Sequence, residues 1–249
     1  MLGATHSYLD ESILMPQTFS MPKKLFSMAA ASALILTLGA CAAQETESPP
    51  DTEKLTQSTI TFAIEGANLS SGHMDIHSSQ LDVASLVLRN AFDSLVAQDS
   101  SGAFVPWLAT SWTISDDELQ YVFQLREDVT FHDGEFFNAE AVKANFDHVV
   151  APETASAQAA SLIGYAAEGG YYLGTEVLGE FEVAVNFSQP YAPFLQGLSL
   201  PQLGFYSPKV LEEHAADLKA GGPGITVGTG PFVLSEYTPD QELVFEANL

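Results

Sequence analysis

The chain of 249 residues has a single cysteine, only eight lysines and arginines together, and two tryptophans. One cysteine excludes an intrachain disulfide framework and leaves no Cys-based zinc site that can close. Eight basic residues against 32 acidic ones give a net charge of −24. This shortage of positive charge all but excludes nucleic acid as a partner, because phosphate neutralisation needs clustered Lys and Arg. It also argues against an anionic membrane surface as an electrostatic target. Signatures of covalent chemistry are missing too: no G-x-S-x-G elbow, H-E-x-x-H or Ser-x-x-Lys pattern follows residue 41. Carboxylates are so numerous that no single pair of them singles itself out as glycosidase-like. The residues alone thus leave an enzymatic reading open. Aromatics are not scarce. The 16 Phe and 8 Tyr, within a composition that is 46% apolar, suffice to bury a core, which an acidic disordered tail could not do.

The position of the one cysteine is informative. Met21 opens the run MPKKLFSMAAASALILTLGAC, in which Lys23 and Lys24 form a basic flank and residues 25–38 are apolar or small and uncharged. Such a stretch is shorter than the ~20 apolar residues of a spanning helix and reads as a signal peptide over residues 21–40. The segment LGAC resembles the bacterial lipobox, whose cysteine is lipidated and becomes the mature N-terminus. The alternative, an ordinary signal peptide with a chance cysteine, has to place the only cysteine at Cys41 by accident. Residues 1–20 contain Asp10 and Glu11, fit no targeting pattern and read as an over-called start. Residues 41–54 include QETESPPDTEK, a polar stretch with two prolines that reads as a flexible tether.

Beyond the tether, Ile60, Phe62 and Ile64 alternate, predicting a strand over residues 58–65. Residues 67–77 form a Gly/Ser/Asn loop. Leu81, Ala84, Leu88, Phe92 and Leu95 make one stripe of an amphipathic helix over residues 81–97. A hairpin is predicted from residues 111–115 through the turn Asp116-Asp117-Glu118 into LQYVFQL. Asp133-Gly134 signals another turn, and Asn138 caps a helix running through Val150. Residues 151–180 are Ala- and Gly-rich and resist assignment. A strand is predicted over residues 181–187, a helix from Ser207 to Lys219 stopped at Gly221-Gly222, and two strands around the turn at residues 238–241.

Each motif has a bland reading beside a sharper one. His73 and His77 with Asp75 between them have metal-like spacing, but the surrounding loop composition disfavours a helix and no third ligand is evident. FHDG at residues 131–134 reads as a turn with His132 hydrogen-bonded locally. GTGP at residues 228–231 lacks the Lys-Ser/Thr of a phosphate loop and reads as a turn entering a strand. For Trp107 and Trp112, core packing is the default and a ligand-stacking wall the minority reading.

The order of these motifs is more telling than any one of them. The segment PWLATSWTISDDELQYVFQLREDVTFHDGEFFNAEAVKANFDHV resembles the signature region of the bacterial extracellular solute-binding proteins of family 5, receptors of ABC importers. Family blocks are also matched by MDIH, with Ile76 in place of proline, by QPYAPFLQGLSLP, by YSPKVLEEH, by VGTGPF and by the closing FEAN. Ala141 stands where the family usually has Asp.

The resemblance implies a mixed α/β (α+β) fold of the type II periplasmic-binding-protein kind. Residues 55–249 would form the first lobe, with residues 55–76 and 181–249 as its core and residues 77–180 as an inserted subdomain. Family members are about twice as long, so the resemblance implies that the second lobe is missing and that the sequence is a fragment or a truncated reading frame. It further implies a monomeric, lipid-anchored receptor at the cell membrane, facing the periplasm or the outside. That receptor, not an enzyme and without a cofactor, would capture peptides between two lobes for delivery to permease subunits; a nickel or metallophore receptor, a non-functional single lobe and, behind these, a surface lipoprotein enzyme are the alternatives. The candidate residues are Cys41 for lipidation and Asn68, Leu69, Ser70 and Ser71, in the loop after the first strand, for ligand contact.

Overall fold

The structure, a computed structural model, describes residues 59–63, 72–78, 83–152, 154, 157–166 and 169–249. All of them except Thr59 lie in one compact unit, residues 60–249. Its first helix, α1 (Val83–Leu88), leads to a short hairpin of β1 (Val96–Gln98) and β2 (Phe104–Pro106). Next come β3 (Ala109–Ile114) and β4 (Gln120–Leu125), the predicted hairpin, with Glu118 at φ 57° in its turn. Then follow α2 (Ala139–Val150), α3 (Ala157–Leu162), β5 (Tyr172–Gly179), β6 (Glu182–Phe187), α4 (Phe194–Leu198), α5 (Pro208–His214), β7 (Phe232–Thr238) and β8 (Glu242–Ala247).

The main sheet is antiparallel with strand order β3-β4-β6-β5. Period-2 alternation explains its buried face: Tyr121, Phe123 and Leu125 of β4 lie beside Val183, Val185 and Phe187 of β6, all buried. Phe194 of α4 closes over them, its ring centroid 5.0 Å from that of Tyr121 and 4.9 Å from that of Phe187. Helix α2 is capped as predicted, the Asn138 side chain accepting from the Ala141 N–H at 2.9 Å. Its buried stripe of Val142, Phe146 and Val149 packs against β5, β6 and α5. Phe137, Phe146 and Phe205 join in edge-to-face or tilted contacts.

Three expectations need correction. Residues 59–63 form no strand, and Ile60 and Phe62 are 75% and 80% exposed, because a strand needs a ladder partner and none of the described residues supplies one. The helix expected over residues 81–97 ends at Leu88, residues 81 and 82 lying outside the described ones. Phe92 and Leu95 are buried as the stripe predicts, but the carbonyls of Asn90 and Ala91 accept from Phe232 and Gly230 rather than continuing a helical ladder. The helix beginning at Ser207 holds α geometry only to His214 and continues as a single 3-10 turn, Ala215–Asp217. It stops where predicted, with Gly221 and Gly222 at φ 65° and 118°.

Candidate functional site

Two polar clusters organise the unit. The first centres on MDIH. Met74, Asp75, Ile76 and His77 are all buried, which excludes a solvated loop for these four. Asp75 accepts from the His77 backbone N–H at 3.0 Å and from the Tyr206 hydroxyl at 3.4 Å, and that hydroxyl accepts from the Ile76 N–H at 3.1 Å. His77 donates through Nε2 to the Gly204 carbonyl at 2.9 Å and stacks edge-on against Tyr206, with His148 5.5 Å away. Burial pushes the His77 imidazole down to about 4, with Asp75 opposing the shift and His148 adding to it. Burial likewise raises the Tyr206 phenol, which stays a neutral donor. Asn145 of α2 holds Tyr206 by its backbone, accepting from its N–H and donating to its carbonyl, both at 2.8 Å.

This cluster anchors the chain at the end of the candidate loop. The Lys219 carbonyl accepts from the Gly72 N–H at 2.7 Å and from the Met74 N–H at 3.1 Å. Asn68, Leu69, Ser70 and Ser71, and Cys41 as well, lie outside the described residues. Beside the cluster, Asp75, His148, Thr154, Leu211 and Glu212 help to line a cavity of about 860 Å³ between α2 and α5. Among the described residues no group of three or more His, Cys, Asp or Glu side chains is arranged to hold a metal ion, so His73, Asp75 and His77 do not form one.

The second cluster joins FHDG to GTGP. The His132 backbone N–H donates to the Gly228 carbonyl at 2.9 Å. Its ring accepts from the Gly228 N–H at Nδ1, 3.4 Å, and donates from Nε2 to the Gly230 carbonyl, 2.9 Å. Both nitrogens are thus used by the neutral tautomer, and burial lowers the pKa in the same sense. The partners are 96 and 98 residues away, which corrects the expectation of a local hydrogen bond. Asp133 accepts from Ser207 Oγ at 2.6 Å, and Asp93 accepts from Thr229 Oγ1 at 3.1 Å. The glycines of GTGP serve close approach: a Cβ on Gly228 would stand 2.1 Å from the Ala91 carbonyl oxygen, and one on Gly230 2.5 Å from its carbonyl carbon. Trp112 packs partly buried against Phe123, but Trp107 is 51% exposed, so core packing fails for Trp107.

One polar group escaped the sequence reading. Gln202 sits in a 3-10 turn, Pro201–Leu203, and is 0% exposed. Its Nε2 donates to Ser85 Oγ at 3.2 Å, while its Oε1 has no hydrogen-bond partner among the described residues. The only signal for it in the sequence was a lone amide inside the apolar run LSLPQLGFY.

The fold is that of the type II periplasmic binding proteins. It superposes on NikA from Brucella suis in complex with Fe(III)-EDTA with a TM-score of 0.61 at 32% identity, covering 73% of this chain and 34% of that one. Residues 103–249, more than half the chain, match the model described as bacterial extracellular solute-binding proteins, family 5 middle. The chain belongs to that family, whose members are solute-binding proteins of ABC importers and not enzymes. The nickel-binding periplasmic protein of Escherichia coli K12 is 33% identical over 158 residues, 63% of this chain and 28% of that protein. A probable D,D-dipeptide-binding periplasmic protein of the same strain is 35% identical over 142 residues, 57% and 26% respectively. The chain thus spans little more than a quarter of the length of these curated relatives.

Proposed function

We propose that this chain supplies the first lobe of a lipid-anchored receptor that captures a short peptide for an ABC importer. The observation that carries the peptide reading is the 35% identity over 142 residues to a probable D,D-dipeptide-binding periplasmic protein. On this reading Asn68, Leu69, Ser70 and Ser71 offer backbone groups to an extended peptide, which gains affinity without side-chain choice. Closure of two lobes then traps it, driven by contacts made only in the closed state. Cys41 carries the anchor, permease subunits are the partners, and the receptor works as a monomer without a cofactor.

A second reading, a nickel-complex receptor, is favoured by the 33% identity to the nickel-binding relative. One titration separates the two. The protein is heated with a panel of di- and tripeptides and, separately, with nickel and free histidine. A ligand in hundredfold excess over its Kd stabilises the folded state by about 2.7 kcal/mol. Stabilisation by peptides alone supports the first reading. Stabilisation by nickel and histidine alone overturns it in favour of the second, and silence from both panels overturns both. Intact-mass analysis after membrane extraction tests Cys41: an unmodified or absent cysteine refutes the anchor.

A further inference from the structure

Trp107 is an exposed indole held in a fixed pose, and the proposed function does not use it. The chain bends sharply between β2 and β3, the Trp107 N–H donating to the Ala109 carbonyl at 3.0 Å. That bend sends Leu108 inward and leaves Trp107 half outside. The indole Nε1–H donates to Asp93 Oδ1 at 2.9 Å, and Thr229 holds the other oxygen of the same carboxylate. With its N–H occupied, the ring has only its face and edge to offer, and little rotamer freedom is left to lose on binding.

The ring borders an open concavity of about 680 Å³, lined also by Thr110, Gln124, Arg126, Glu127 and Asp128. Arg126 is spent internally: its Nε and Nη2 reach the two oxygens of Asp128 at 3.0 and 2.9 Å. Gln124 is tied to Glu182 at 2.7 Å. Around the indole, therefore, three carboxylates (Asp93, Glu127 and Asp128) stand against one cation, Arg126, on a chain whose net charge is −24. An exposed, pre-set Trp in a negative field is the arrangement that attracts a guanidinium to its face. Trp and Arg are the residue types that dominate interface hot spots, and complementary charge sets the on-rate.

We propose that this surface docks an arginine-bearing segment of a partner protein, one guanidinium lying over Trp107 and its neighbours pairing with Glu127 and Asp128. The concavity is open to solvent, with side-chain exposures of 47% for Arg126 and 71% for Asp128. Such a surface gains affinity from several contacts along a segment and not from enclosing one small ion.

The test uses hexa-arginine peptide as probe and hexa-aspartate as control, titrated into the full chain by calorimetry. Emission is followed in a Trp112→Phe chain, where Trp107 is the only indole. Hexa-arginine binds, changes the Trp107 emission and loses affinity as salt rises from about 0.05 to 0.5 M. Trp107→Ala weakens binding about tenfold, whereas Trp107→Phe, which keeps a ring, weakens it only a few-fold. Glu127→Gln with Asp128→Asn also weakens it. Calorimetry on the unsubstituted chain keeps the test intact should Trp112→Phe misfold. Equal affinity in Trp107→Ala, or unchanged Trp107 emission, overturns the proposal. So does free arginine amide binding as tightly as the hexapeptide, which would make the site one for a small cation.

Discussion

His132 and Gly230 lie 98 residues apart in sequence and share a 2.9 Å hydrogen bond from the imidazole Nε2 to the glycine carbonyl. The bond works only because the GTGP turn is seated on Ala91, with the Gly230 N–H donating to the Ala91 carbonyl at 3.0 Å. Three stretches distant in sequence therefore meet at one backbone junction, and each of its members is open to test.

Gly228→Ala is the sharpest probe of the junction. The added Cβ would lie 2.1 Å from the Ala91 carbonyl oxygen and 2.6 Å from the Phe92 ring, both fixed in the core. Overpacking of this kind costs about 1–3 kcal/mol. A lowered urea midpoint with an unchanged slope is the expected outcome; an unchanged midpoint would show that the junction yields.

Asn145→Ala removes the side chain that satisfies both backbone groups of Tyr206. It leaves a buried N–H and a buried carbonyl without that partner, at about 1–3 kcal/mol each. Asn145→Leu, similar in volume, fares no better if the hydrogen bonds matter. Chemical denaturation of both variants measures this, and a stable Asn145→Leu would locate the effect in packing.

Acid should weaken the fold through His77. Its pKa is lowered from 6.5 to about 4 in the folded state, so between those values the unfolded chain binds more protons. Stability from this group is then fully present above about pH 6.5, falls as pH drops toward 4 and levels off below, a loss of about 3 kcal/mol at most. His132, also lowered by burial, adds in the same direction. Denaturation midpoints at pH 7 and 4.5 for the unsubstituted chain and for His77→Gln report the term; an equal acid loss in both would assign it elsewhere.

Gln202→Leu tests the balance of a buried amide. Replacing a side chain whose oxygen has no partner among the described residues should leave the protein as stable or raise its stability by about 1 kcal/mol. A destabilised variant would mean that the bond to Ser85 outweighs the unmet oxygen.

Local signals in the sequence match the structure where the structure itself is local. Asn138 begins α2, the alternation from Val183 to Phe187 lies on β6, and Gly221-Gly222 ends the turn after α5. The errors occur where distant backbone intervenes. The stripe through Phe92 and Leu95 has helical spacing, but the carbonyls of Asn90 and Ala91 are claimed by residues beyond 229. His132 looked like part of a self-contained turn because nothing in FHDG names Gly228 or Gly230 as its partners. At the site, MDIH pointed to a meaningful position without revealing its burial. Gln202 was hidden because a single amide in an apolar run has no periodicity to betray it.

The junction of Ala91, His132 and Gly230 has a kinetic consequence. Its loops can close only after the chain has been made through residue 232, so no earlier portion holds the contact that unites them. Topologies dominated by such distant pairings fold slowly, because loop-closure entropy comes before any reward. The β3–β4 hairpin can form as soon as it emerges, but the assembled unit must wait for nearly its whole length.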